Sequence, residues 1–118
     1  MQTFEKRVDL YLFARNCMDD PRFRNLIILA GKSGVPAIVS RMGDSKEIWD
    51  KAELMTILVA IDTNCRCISG NPDIMYQLEK IADEVQTNPK NTSRKTYQST
   101  FQESLETLRN RSRVGIAG

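Results

Sequence analysis

Few side chains in this sequence are equipped to do chemistry, and most of those stand where a structural role already explains them. Histidine is absent, so proton transfer near neutral pH falls to a carboxylate, lysine or cysteine displaced from its ordinary pKa. Asp19 and Asp20 precede Pro21, and Asp44 leads into a long apolar segment; at such positions a carboxylate caps exposed backbone N–H groups. Asp62 differs, because it interrupts an apolar run and must face solvent or find a partner. Arg66, four residues on, is the expected ion pair. Cys17, Cys65 and Cys67 are an odd number with apolar neighbours, which reads as small buried hydrophobes in the reduced state. A Cys-x-Cys pair without histidine does not make a zinc ligand set, so no metal site is expected. Gly31-Lys32-Ser33 carries the Gly-Lys-Ser of a phosphate loop, but the glycine required five positions earlier is Leu26, inside an apolar helical run. The expectation is therefore of no catalytic residue, no cofactor and no enzyme activity.

Two other sets of residues point to binding. Tyr97, Phe101, Leu105 and Leu108 recur at helical spacing as a narrow apolar stripe, suited to docking on another protein or on a second copy of the chain. Lys90, Arg94, Lys95, Arg109, Arg111 and Arg113 concentrate cations in the same quarter of the sequence. With Tyr97 and Phe101 nearby they form an alternative site, contacting phosphates and stacking on bases of RNA or DNA. A net charge of +2 is small for a dedicated nucleic-acid binder.

Helices have to position all of these groups. The four prolines, Pro21, Pro36, Pro72 and Pro89, stand at or near first helical turns, where a missing N–H costs nothing. Glycines supply stops. The first helix is expected over 3–18, with Phe4, Val8, Tyr11 and Leu12 on its stripe. A second runs over 21–30 to Gly31, and a brief third over 35–42 to Gly43. A long fourth begins near Ser45 and ends at Gly70, apolar on nearly every face between Leu54 and Ile61, which demands cover from several sides. The fifth covers 72–87, where Ile74, Leu78, Ile81 and Val85 share a face. No stretch alternates with period two. The fold class is all-α: a compact bundle of about six helices or a short right-handed superhelix. Residues 1–87 form the helical core, 88–95 a polar linker, 96–111 an amphipathic helix and 112–118 a flexible basic tail.

Part of this order is familiar. Ala30-Gly31, Gly34-Val35-Pro36-Ala37-Ile38-Val39, Asp44 and the apolar run 52–61 together resemble one armadillo repeat: a short helix, an Ala-Gly stop, a Val-Pro entry and a long third helix. The likeness spans 21–61, with the residues before and after it supplying partial neighbouring units. Such arrays use about three or more stacked repeats. The Trp and Asn with which many armadillo proteins clamp extended peptides are missing, since the matching region reads Leu54-Met55-Thr56-Ile57-Leu58-Val59. The resemblance thus implies a helical interaction domain without that peptide clamp.

A chain of 118 residues suits one domain. No basic-then-apolar leader opens it, and its apolar runs fall short of the ~20 residues of a membrane span. Together with the free thiols, this leads to the expectation of a cytoplasmic, non-enzymatic domain that binds another protein or itself through its C-terminal helix, with nucleic acid as the alternative partner and no membrane contact.

Overall fold

The computed structural model describes Lys6, Val8 and residues 21–87 and 95–117. Five α-helices lie in the two long segments: α1 (Pro21–Ala30), α2 (Val35–Asp44), α3 (Ile48–Cys65), α4 (Pro72–Thr87) and α5 (Lys95–Ala117), with a 3-10 turn over Gly31–Gly34. Lys6 and Val8 are also helical, and Val8 is buried in the core. The described residues contain no strand, and the all-α expectation holds. The rest of the first expected helix, with Cys17, Asp19 and Asp20, lies outside the described residues, as do residues 88–94 of the expected linker. No helix is long and apolar enough to cross a membrane among the described residues. A Cα radius of gyration of 13.9 Å matches the ~13.5 Å expected of a compact chain this long.

α3 is the axis of the bundle. Leu54, Met55, Ile57, Leu58 and Ile61 are all within 1% of complete burial, as an apolar run on every face requires. α1, α2 and α5 pack against α3, α5 most extensively, and α4 fills in between α2 and α5. The punctuation works largely as the sequence suggests. α1 stops where Gly31 takes φ +61, and α2 starts with Pro36 in its first turn. At α4, Pro72 follows Asn71, whose Oδ1 accepts from the N–H groups of Asp73 (3.0 Å) and Ile74 (3.3 Å).

Four boundaries differ from expectation: α2 runs through Gly43, expected as its stop, to Asp44, and the other three differ for local reasons. α3 begins at Ile48 because Ser45 and Glu47 are extended. Ser45 still works at the entry, accepting from Glu47 N–H at 3.3 Å and donating to Asp50 Oδ2 at 2.8 Å. α3 also ends earlier than Gly70, at Cys65, since Arg66 takes the left-handed conformation (φ 54, ψ 23) and its N–H donates to Asp62 O at 2.8 Å. Gly70 is needed for a different reason: a Cβ there would come within 2.7 Å of the Arg66 carbonyl oxygen, which accepts the Gly70 N–H. Finally, α5 runs from Lys95 to Ala117, so residues 112–117, expected as a flexible tail, continue the helix. Extending an existing helix adds a hydrogen bond per residue fixed, and Arg113 supports that last stretch by donating to Asn110 Oδ1 at 3.2 Å.

Candidate functional site

The most densely bonded polar group in the described structure is the Asp62 carboxylate, fully buried one turn before the end of α3. Its Oδ1 accepts three hydrogen bonds from the turn after the helix, from Ile68 N–H (3.0 Å), Ser69 N–H (2.8 Å) and the Ser69 hydroxyl (3.1 Å). Its Oδ2 pairs with Arg111 Nη1 at 3.1 Å. Arg111 reaches in from α5 and also donates to Val59 O (3.3 Å) and Thr63 Oγ1 (3.1 Å). Burial works against the carboxylate, but the Ser69 and Ile68 N–H groups, the Ser69 hydroxyl and the Arg111 guanidinium outweigh it and hold its pKa below the ordinary aspartate value. An ionised carboxylate held this low does not take up a proton near neutrality, and its complete burial keeps it from a substrate. Its role is to lock the end of α3 and tie α5 to it. The expected Asp62–Arg66 pair is replaced, because Arg66 turns away as the left-handed cap while Arg111 arrives from α5.

The neighbouring cations of α5 are engaged as well. Arg109 makes a bidentate contact with Glu79 of α4 (2.6 and 2.8 Å) and a further one with Glu106 (3.1 Å). The Arg109 bond draws the Glu79 carboxyl below its usual range, and Glu79 pushes the Arg109 guanidinium up. Arg113, largely exposed, lies 3.7 Å from Glu106. Of the cations assigned to an alternative nucleic-acid site, Lys90 and Arg94 fall outside the described residues and Lys95 is exposed at the start of α5, whereas Arg109 and Arg111 serve as internal fasteners. The apolar stripe is corrected in the same sense. Phe101, Leu105 and Leu108 are completely buried in the chain's own core, and of that set only Tyr97 is exposed. Three residues of the stripe seat α5, whose most extensive packing is against α3.

Two further charged residues, Asp50 and Lys51, are buried near the other end of α3. Lys51 Nζ donates to the Met42 carbonyl at the end of α2, at 3.2 Å. Desolvation lowers its pKa, and Glu84 of α4 offsets this only in part. Sequence reasoning passed over Lys51, Ser69 and the Arg111 contact. A signal existed for the first: Lys51, Leu54, Met55, Leu58 and Asp62 share one helical face, so a lysine on that face had to be buried. No sequence signal marks Arg111, which stands 49 residues from its carboxylate.

At the end of α3, Cys65 and Cys67 are joined in a disulfide, against the expectation of three reduced thiols. The pairing withdraws the support that free thiols gave to a reducing compartment. Lys32 and Ser33 are exposed in the 3-10 turn, Ser33 donating to Ala30 O at 2.8 Å, which is a helix-ending arrangement rather than a phosphate cradle. Among the described residues there is no group of three or more cysteine, aspartate and glutamate side chains placed to hold a metal ion. No family model, no curated protein and no solved structure matches the chain.

Proposed function

We propose that the protein is a non-enzymatic helical interaction domain whose partner is another protein. The observation that carries this reading is Tyr76. It stands on the outer side of α4, 64% exposed, with Lys80 Nζ 5.3 Å from the centre of its ring. An exposed tyrosine held by a neighbouring cation is an amphipathic anchor of the type over-represented at the centres of protein interfaces. The commitment of Asp62, Arg109 and Arg111 to internal bonds supports the same reading, since none of these three is left free for acid–base work or for phosphate contacts. The order of α1, α2 and α3, which resembles one armadillo unit, supports a helical interaction surface too. Self-association through α5 becomes less favoured with its stripe buried, and the outer face of α4 takes its place. A cytoplasmic location goes with this proposal.

The test is photo-crosslinking from position 76 in cells, with a photoreactive phenylalanine replacing the tyrosine and exposed Glu103 as the control position. A discrete protein adduct from position 76 is expected, and Tyr76→Ala should weaken the purified complex by about tenfold or more, the scale of an interface anchor. Adducts to RNA or DNA, with binding that falls steeply as salt rises, would instead establish the nucleic-acid alternative.

A further inference from the structure

The disulfide after α3 has a feature that separates it from a structural staple. Cys65 and Cys67 are two residues apart, so the ring they close contains Arg66 alone between them. A cross-link this short removes little freedom from the unfolded chain, and stabilisation by loop closure is correspondingly small. It is also within reach of solvent, with Cys65 exposed and Cys67 half-buried. One local feature favours negative charge on Cys65: the Cys67 N–H donates to Cys65 Sγ at 3.2 Å.

From these observations we propose that Cys65 and Cys67 form a thiol–disulfide exchange site whose reactant is a small dithiol, and that its redox state sets how firmly the turn after α3 grips Asp62. One thiolate of the dithiol attacks Cys67 Sγ; the Cys65–Cys67 bond breaks, and its electron pair leaves on Cys65, the sulfur already receiving the N–H bond. The second thiolate of the reagent then displaces Cys67 from the mixed disulfide. The protein gains two electrons and two protons as a dithiol, and the reagent departs as its disulfide.

The consequence passes through backbone. Every residue from Arg66 to Ser69 is anchored on residue 62 or adjoins one that is: the Arg66 N–H on the Asp62 carbonyl, the Ile68 and Ser69 N–H groups on its carboxylate. The disulfide braces Arg66 in its left-handed conformation, one that a residue with a Cβ leaves readily. Opening the ring removes the brace, so the Ile68 and Ser69 N–H groups separate more often from the carboxylate that also holds Arg111.

The test uses the full chain carrying Cys17→Ser, equilibrated with oxidised glutathione and then treated with millimolar dithiothreitol without denaturant. Alkylation and intact mass are expected to show no free thiol before reduction and two after it. Amide exchange at Ile68 and Ser69 should accelerate by about tenfold on reduction while Leu78 in α4 is unchanged, as expected of a local opening. Free thiols persisting after oxidised glutathione, reduction that requires denaturant, or unchanged exchange at Ile68 and Ser69 would each overturn the proposal.

Discussion

α5 is held by two seams of unlike character. Against α3, Arg111 meets a carboxylate with no solvent exposure; against α4, Arg109 meets Glu79, whose side chain is 43% exposed. The second contact has the better isolated geometry, bidentate with a 2.6 Å bond, yet it competes with water and salt at every instant. The first has a single short charge contact, but the carboxylate has no alternative to the partners it was folded with. The comparison teaches that the alternative to a contact, more than its length, decides what the contact is worth.

The largest effect should follow removal of the buried acceptor. Asp62→Ala strands the Ile68 and Ser69 N–H groups and leaves Arg111, only 22% exposed, without its carboxylate. A loss of about 3–5 kcal/mol in chemical denaturation is expected, the range for breaking a buried pair from one side. Asp62→Asn, which keeps an acceptor for the two N–H groups and loses the charge, should cost less, about 1–3 kcal/mol. Equal losses for the two variants would mean that the charge on Arg111, and not the turn, carries the seam.

The next effects are read against pH, and Asp62 and Lys51, two of the three buried charged residues of α3, have distinct limbs. Asp62 titrates in the folded state below its ordinary value of 3.8, so its contribution is complete above that pH and disappears as the pH falls through the lower, folded value. Lys51 also lies below its ordinary value, 10.5, but for a base this means that the unfolded chain binds the extra proton. Stability attributable to Lys51 should therefore rise with pH between its folded value and 10.5. Lys51→Met should abolish that alkaline rise while changing stability near neutrality by only about 1 kcal/mol, since loss of the bond to Met42 O is set against relief of a desolvated charge. A rise that survives the substitution would place its origin elsewhere.

What could be read from sequence divides along the same line as the seams. The helices, their Pro and Gly limits at Pro21, Gly31, Pro36 and Pro72, and the burial of Ile57, Leu58 and Ile61 follow from local rules acting over a few residues. The stripe Tyr97, Phe101, Leu105 and Leu108 was legible as apolar, but whether it docks on α3 or on another molecule depends on the shape of the surface that receives it. The Arg66 cap was hidden because glycine is the ordinary left-handed residue, and here the Asp62 carboxylate fixes the following turn instead. The pairing of Arg111 with Asp62 is a property of the packed bundle, and near-neighbour spacing favoured Arg66 with equal chemical justification.

The smallest expected effect belongs to the outer seam. Glu79→Gln removes the charge from a partner of Arg109 while retaining a side chain of the same length, and Glu106 remains 3.1 Å from the guanidinium to take up part of the interaction. With both side chains of the Arg109–Glu79 contact substantially solvated, the loss should stay at or below about 1 kcal/mol at low salt. Molar salt screens the same charges in the parent, so the difference between parent and variant should shrink toward zero there. The Asp62→Ala difference, measured in the same salt series, should hardly move, because its pair is shielded from the ions. If instead the two differences respond to salt alike, the inner seam is open to solvent, and the contrast between a buried clasp and a surface pair does not describe how α5 is held.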